Sequence, residues 1–500
     1  MPASLPLPSA LLTDGPRLLT DVLATHARCR PDAAALRFEG ATWSYGELAL
    51  ACETAAAWLF HQGGVRAGDR VAWLGANHPA QIVLLFALAH LGAILLPLNF
   101  RLAPAEWAEL VADCRPTHLV HDAAWAEAAS KLGRTSALHV HPLEALSATG
   151  ADAPAPDQAR PEAPVLLVYT SGTTSRPKAA VHTQANLLAN MRIAAAVQAM
   201  TPQDIVATML PLFHVGGLCI QTLPALYTGA EVILHPRFNA DAAIDCFERQ
   251  HPTLTLQVPA TMKALLEHPR WPIADLSSLR AVWAGSSILP ARLVEAFHAR
   301  GVPLGNVYGA TETGPFSIAL PPAQARTRPA SCGWPAPGVE VRLASLQAGV
   351  GELLVRAPNV VARYWPDQPA LDADGWFHTG DLASRADDGS YTVVGRARDL
   401  IISGGENIHP EEIESILGEH PAVAECAAFA VPDESWGEIV AVAVVLKAGQ
   451  AVSEPALHSH LQERLARYKL PRRWYWLDEL PKTALGKVQR QALAQLALRP

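Results

Sequence analysis

Between Arg70 and Val307, short apolar runs alternate with helical stretches: Arg70–Leu74, Thr117–Val120, Val165–Tyr169, Ile205–Leu210, Glu231–Leu234, Leu254–Val258, Leu279–Trp283 and Val302–Val307. A strand buried on both faces reads as such a continuous run, and the helices between runs are what bury it. The alternation predicts an α/β fold of mainly parallel sheets covered by helices. An amphipathic helix, Tyr45 to His61, precedes the series and is introduced by Thr42-Trp43-Ser44. At 500 residues, half of them apolar, the chain can bury a large core and is expected to divide into more than one domain.

The texture changes beyond Gly333, where short strands (Val339–Leu343, Glu352–Arg356, Trp376–His378, Tyr391–Val394) are separated by Gly and Asp pairs. A small β-rich subdomain is expected there, over about 333–395. After Gly395-Arg396 the order becomes a helix (Pro410–Leu417), two apolar strands (Val423–Val431, Ile439–Leu446), a helix (Glu454–Tyr468), a strand (Trp474–Leu477) and a last helix. That is an α+β unit of about a hundred residues, an ordinary domain size. The expected division is 1–396 and 397–500.

A net charge of −8 and a pI near 6.2, with no long basic stripe, argue against a nucleic-acid partner. The seven cysteines lie singly, with no C-x-x-C pair, as expected of reduced thiols in a cytoplasm. The N-terminus lacks a charged start and an uninterrupted apolar core, so no signal peptide is expected. The most apolar run, Ile82 to Leu96, is broken by His90 and Gly92 and falls short of the roughly 20 residues a membrane span needs. It reads as a buried helix turning at Gly92 into a buried strand, and no transmembrane segment is expected.

Chemistry enters at Tyr169–Leu187, YTSGTTSRPKAAVHTQANL. A strand leads into a loop of small hydroxyl residues and glycine, and a helix is expected to open near Thr183. Thr170, Ser171, Gly172, Thr173 and Thr174 offer hydroxyls and closely spaced backbone N–H groups, and Lys178 adds a point charge suited to a polyphosphate. The pattern G-x-x-x-x-G-K-[ST] does not fit, because Pro177 precedes the lysine and Ala179 follows it. A Ser/Thr-rich surface turn is the bland alternative.

The stretch resembles the phosphate-binding loop of the adenylate-forming superfamily, which includes acyl-CoA synthetases, nonribosomal-peptide adenylation domains and firefly luciferase; it departs at Ser175 and Ala179, both commonly glycine there. The resemblance continues along nearly the whole chain. Tyr308-Gly309-Ala310-Thr311-Glu312 is similar to the family's Y-G-x-T-E, which implies that Tyr308 packs on adenine, Thr311 contacts the α-phosphate and Glu312 coordinates Mg²⁺. His378-Thr379-Gly380-Asp381 and Gly395-Arg396 resemble the elements whose Asp and Arg hold the ribose, roles carried to Asp381 and Arg396. Pro481-Lys482-Thr483-Ala484-Leu485-Gly486-Lys487 resembles P-K-T-x-x-G-K, which makes Lys487 the catalytic cation bridging carboxylate and α-phosphate, with Lys482 left as structural.

For the second half-reaction the resemblance implies a mobile C-terminal domain pivoting near Arg398 and a pantetheine tunnel lined by Gly404 and Gly405. Trp436 is a candidate for stacking on the adenine of CoA, with Arg472 and Arg473 beside the phosphates. Pro211-Leu212-Phe213-His214-Val215-Gly216-Gly217 resembles the motif that sets His214 near the reacting carboxylate. No aspartate stands there to hold an α-ammonium, so an apolar acid (medium-chain, aromatic or alicyclic) is favoured; Gly216 and Gly217 suggest room for it or serve packing.

The expectation is an AMP-forming acid–CoA ligase: an N-terminal ATP- and acyl-binding domain of helix-covered parallel sheets plus a β-rich subdomain, then a small mobile α+β domain. The implied cofactors are ATP, Mg²⁺ and coenzyme A, and the partners are small molecules, a homodimer being left open. A carrier-protein-loading synthetase and a non-catalytic nucleotide sensor on the same fold are the alternatives.

Overall fold

The computed structural model describes residues 15–148, 153–170, 177–285, 289, 291–328, 331–347, 349–403, 406–433, 436–483 and 486–497. The chain forms two compact units, residues 1–341 with 355–377, and residues 342–354 with 378–500.

Two sheets organise the first unit. One has nine strands in the order Trp334–Pro335, Ile318–Leu320, Leu304–Tyr308, Ala281–Gly285, Leu254–Gln257, Ile205–Thr208, Glu231–Leu234, Ala34–Phe38, Ala41–Ser44. Its six central strands, Leu304–Tyr308 through Ala34–Phe38, run parallel, and the edge strands are antiparallel. The other has eight, in the order Gln368–Pro369, Arg363–Tyr364, Lys178–Thr183, Pro164–Thr170, Ile94–Pro97, Arg70–Leu74, His118–His121, His139–Pro142. Its parallel half ends at Pro164–Thr170, which turns back antiparallel into Lys178–Thr183.

Local chemistry fixes the helix ends. Ser44 Oγ accepts from Glu47 N–H (3.1 Å) while the Glu47 carboxylate accepts from Ser44 N–H (2.7 Å), a capping box that opens the helix Tyr45–His61. The run Ile82–Leu96 is the helix Pro79–Leu91, buried at every residue but His90, then Gly92 at φ +63°, then the strand Ile94–Pro97. No helix among the described residues is long and apolar enough to cross a membrane. The residues around Phe247, Trp271, Val282 and Phe297 form one core cluster, and those around Ala72, Leu96, Trp107 and Leu167 another.

The second unit holds most of a four-stranded sheet, Glu340–Gln347, Val350–Arg356, Phe377–Arg385 and Tyr391–Arg396, and a five-stranded sheet built on the long hairpin Val423–Asp433 with Gly437–Leu446. Apolar clusters cover both faces of that hairpin. The β-rich segment thus groups with the C-terminal residues in this division, because Tyr391–Arg396 packs on the helix Pro410–Leu417. A Cβ on Gly395 would stand 2.5 Å from Glu411 Oε2.

Two expected elements differ. Lys178–Thr183 is a strand rather than part of the loop, held in register by pairing Thr170 with Lys178 and Tyr169 with Ala179; Thr183 then caps the helix Gln184–Val197, as expected. The helix expected over Glu454–Tyr468 ends at Gln462, and a separate 3₁₀ turn follows at Arg467–Lys469, which lets Leu465 and Leu470 turn into the core.

Candidate active site

In the first unit three segments converge. The hairpin Pro164–Thr170/Lys178–Thr183 sets Thr170 against Lys178, with Thr170 Oγ1 donating to the Lys178 carbonyl (3.4 Å). Tyr169 anchors the base of the loop: its hydroxyl donates to Asp113 Oδ2 (2.5 Å) and lies 3.0 Å from Cys114 Sγ. Ser171, Gly172, Thr173 and Thr174 lie outside the described residues.

Facing the hairpin, the strand Leu304–Tyr308 delivers Tyr308 and then Gly309, whose missing side chain is a steric requirement: a Cβ would stand 1.5 Å from the Pro315 carbonyl oxygen. Thr311–Thr313 form one 3₁₀ turn, in which Thr313 Oγ1 accepts from Ala310 N–H (2.9 Å). Buried Asn359 donates to the carbonyls of Thr313 (2.6 Å) and Phe316 (2.9 Å), and Asn190 Oδ1 accepts from Phe316 N–H (3.3 Å). Glu312 is thereby presented on a turn tied at both ends.

The third segment is the short strand Arg363–Tyr364, paired through Tyr364 to Ala180. Tyr364 Oη donates to Glu312 Oε1 (2.9 Å), and its ring lies 5.3 Å from Lys178 Nζ. Burial, then the Glu312 charge, pushes the phenol well above its ordinary range, so it stays a neutral donor. The phosphate-loop lysine and the carboxylate identified from sequence are thus brought to one tyrosine.

A divalent ion fits this donor set. Glu312 is a hard oxygen ligand with one oxygen already oriented, and Thr311 stands beside it. Among the described residues no group of three or more His, Cys, Asp or Glu is arranged for a metal. That is compatible with Mg²⁺, which commonly takes one or two carboxylates and completes its octahedron with phosphates and water.

On the acyl side, Asn77 pins the turn before His214, donating to the carbonyls of Leu210 (2.9 Å) and His235 (3.0 Å) and accepting from Leu212 N–H (2.8 Å). His214 Nδ1 accepts from Gly216 N–H (3.0 Å), which assigns the ring proton to Nε2. Gly217 serves packing, since a Cβ there would stand 2.3 Å from the Pro211 carbonyl oxygen. The chain then runs through a π-helical turn, Leu218–Thr222, of a kind often found at functional sites. Ile220 from this turn lies 3.7 Å from where a Gly285 Cβ would be, so the turn reaches the end of the strand Ala281–Gly285. Ser286 and Ser287, which follow that strand, lie outside the described residues.

In the second unit, Asp381 and Arg396 stand opposite each other on paired strands, Arg396 Nε to Asp381 Oδ1 at 3.0 Å. Asp381 is buried, its N–H donating to Thr379 Oγ1 (3.1 Å). A carboxylate can accept hydrogen bonds from a vicinal diol, and a five-donor guanidinium beside it can donate to the same groups. Lys487 is exposed and closes a turn in which Thr483 N–H donates to the Lys487 carbonyl (2.8 Å) and Lys487 N–H to Thr483 Oγ1 (3.2 Å). Lys482 instead pairs with Glu425 Oε2 at 2.5 Å. Trp436 is 41% exposed, and the Arg472 guanidinium sits 4.0 Å above its ring, so Trp436 and Arg472 form one surface feature. Arg398 lies 3.5 Å from Asp399, while Gly404 and Gly405 lie outside the described residues.

Sequence reasoning missed Tyr364, Asn359 and Asn77. Each acts on partners at least 43 residues away, Asn359 on Phe316 being the nearest in sequence. The signal available was Tyr364-Trp365-Pro366 after an apolar run, which says strand end and nothing about its partner.

The family described as AMP-binding enzyme matches residues 23–365, and the AMP-binding enzyme C-terminal domain matches 412–487. The chain is 42% identical over 503 residues to the indoleacetate–CoA ligase of Aromatoleum aromaticum, covering 96% of this chain and 98% of that one. It is 39% identical over 477 residues to the feruloyl-CoA synthase of an Amycolatopsis species, covering 92% and 95%. Among solved structures, the o-succinylbenzoate CoA synthetase of Bacillus subtilis in complex with its acyl-adenylate intermediate superposes with a TM-score of 0.87 at 30% identity, covering 94% of this chain and 97% of that one.

Proposed function

Since this chain belongs to the AMP-binding enzyme family, we propose that it is an ATP-dependent acid–CoA ligase acting on an apolar, aryl-bearing carboxylic acid in the cytoplasm. The observation that carries this reading is the convergence of Lys178 and Glu312 on Tyr364 within one compact unit.

The acid's carboxylate attacks the α-phosphorus of ATP, and pyrophosphate leaves. Thr170 to Thr174 and Lys178 hold the leaving phosphates, and Thr311 contacts the α-phosphate. Bound to Glu312, Mg²⁺ supplies charge neutralisation on the phosphates. Tyr308 and Gly309 form the bed for adenine, while Asp381 and Arg396 grip the ribose. Lys487 bridges the attacking carboxylate and the phosphate, two anions that otherwise repel. His214, whose Nδ1 accepts from Gly216 N–H, stands near the reacting carboxylate. The C-terminal domain, 397–500, then swings about Arg398, and the CoA thiol, led in past Gly404 and Gly405 with its adenine on Trp436, attacks the mixed anhydride and releases AMP.

The aryl preference draws on the indoleacetate and feruloyl relatives and on the buried apolar side chains of Phe213 and Val215, which flank His214, and of Ile220, which lies beside Gly285. Pyrophosphate release over a panel of indole-3-acetate, ferulate, benzoate, octanoate and palmitate, with and without CoA, tests it. Turnover with the aryl acids that needs CoA is expected. Preference for the fatty acids would overturn the substrate class, turnover indifferent to CoA would move the acceptor to a carrier protein, and silence across the panel with ATP still bound would leave a sensor.

A further inference from the structure

The segment that carries Tyr364 is held by hydrogen bonds on both sides of it. On its N-terminal side, Asn186 Nδ2 donates to the carbonyls of Pro358 (2.8 Å) and Val360 (3.1 Å), and Val361 N–H donates to the Glu312 carbonyl (2.8 Å). On its C-terminal side, Trp365 N–H donates to the Ala179 carbonyl (2.8 Å) and Trp365 Nε1 to the Asp113 carbonyl (3.3 Å). The same segment therefore grips the backbone of the Glu312 turn and that of the phosphate hairpin. Tyr364 stands between these grips, with its hydroxyl on the Glu312 carboxylate and its ring against the Lys178 ammonium.

We propose that Tyr364 is a positioning residue for adenylation, which orients Glu312 for the divalent cation through its hydroxyl and seats Lys178 for the nucleotide phosphates on its ring. The inference rests on the roles given above to Glu312 and Lys178 and adds the group that couples them. The physical case has two separable parts. A hydrogen bond from a neutral donor to Glu312 Oε1 restricts a flexible carboxylate to one rotamer and leaves Oε2 to face a cation, so less side-chain entropy is lost when the metal binds. An ammonium near an aromatic ring is held by the ring quadrupole at little cost to its charge, so Lys178 stays available to an anion while its mobility falls.

The two parts separate by substitution. Tyr364→Phe keeps the ring under Lys178 and deletes the hydrogen bond to Glu312. Tyr364→Leu deletes both. The readout is the equilibrium dissociation constant of ATP, measured by calorimetry once in excess Mg²⁺ and once in EDTA, together with the Mg²⁺ concentration that half-saturates the ATP complex. For Tyr364→Phe we expect that Mg²⁺ concentration to rise about tenfold, the scale of one hydrogen bond to a charged group, with ATP affinity in EDTA unchanged. For Tyr364→Leu we expect the same rise and an additional loss of about threefold in EDTA, the scale of one cation–π contact.

A purely structural tyrosine would lower the melting temperature of both variants while leaving the ratio of affinities in Mg²⁺ and EDTA at its wild-type value, and that result overturns the proposal. Tyr364→Phe is nearly isosteric, so it keeps the test alive should the leucine variant fail to fold. Glu312→Gln is the control that tells the two layers apart. If it leaves the Mg²⁺ enhancement intact, the assignment of Glu312 itself fails; if it abolishes the enhancement while Tyr364→Phe does not change it, only the role of Tyr364 fails.

Discussion

Gly309→Ala tests the geometry of the nucleotide site at its tightest point. A Cβ at this position would lie 1.5 Å from the Pro315 carbonyl oxygen, 2.5 Å from the Pro315 carbonyl carbon and 3.0 Å from Thr313 Oγ1. The first two are backbone atoms and cannot rotate aside. Reaching an ordinary contact of 3.4 Å from 1.5 Å requires a displacement of about 1.9 Å. Its neighbours resist that movement, because Phe316 is held at its N–H by Asn190 and at its carbonyl by Asn359, and Ser317 N–H donates to the Tyr308 carbonyl (3.1 Å). The strain is then shared with Tyr308, Thr311 and Glu312, the groups assigned to adenine, α-phosphate and metal. Overpacking of a tight site costs roughly 1–3 kcal/mol of stability. A misplacement of about 1 Å in a reacting constellation costs on the order of a hundredfold in rate. We therefore expect a fall of about a hundredfold in kcat/KM for acid-dependent pyrophosphate release, measured by a coupled phosphate assay, with a melting transition lowered by a few degrees. Activity within threefold of wild type at an unchanged melting temperature would refute the reasoning, since it would mean that the turn yields without cost.

Asn359→Ala leaves the carbonyls of Thr313 and Phe316 buried without their donor, so chemical denaturation should show a loss of about 3 kcal/mol and the Glu312 turn should lose protection from hydrogen exchange. The two lysines of the C-terminal motif should separate: Lys487→Met should lower adenylation by about a thousandfold while sparing CoA transfer from supplied acyl-AMP, whereas Lys482→Met, which breaks a half-exposed ion pair with Glu425, should cost under about 1 kcal/mol and little activity. A pH dependence arises behind Gly395, where burial raises Glu411 to about 7 against an ordinary 4.5, with Arg490 opposing and Glu414 and Asp399 reinforcing. The native state holds that proton more tightly than the unfolded chain, so the contribution to stability is complete below pH 4.5 and is lost as the pH rises through about 7, amounting to at most roughly 3 kcal/mol. Hydrogen-exchange protection of the helix Pro410–Leu417 should decline between pH 5 and 8 in the wild type, and Glu411→Gln should flatten that decline.

How far the sequence alone reached follows from the range of the interactions involved. Elements whose determinants are local were readable to within a few residues. Ser44 and Glu47 announce the helix Tyr45–His61, Pro410 opens Pro410–Leu417, and Arg70–Leu74 is an apolar run bounded by polar residues. Lys178–Thr183 was hidden because its strand character comes from pairing with Pro164–Thr170, not from alternation of its own. The pairing of Asp381 with Arg396 was reached through the family motifs, and the structure supplies the register that sets them side by side. Tyr364 escaped because its partners, Glu312 and Lys178, lie in other segments and only the fold brings them together. The two readings of Gly217 could be separated only by locating the Pro211 carbonyl above it.

Attack of the acid's own carboxylate oxygen on the α-phosphorus of ATP can be followed by supplying indole-3-acetate labelled with ¹⁸O in the carboxylate, with ATP, Mg²⁺ and CoA, and weighing the products by mass spectrometry. Through an acyl-adenylate, one labelled oxygen per turnover must end in AMP, with unlabelled pyrophosphate and the indoleacetyl thioester of CoA formed in equal amounts. Label in phosphate or pyrophosphate, or thioester formed with unlabelled AMP, would contradict the account.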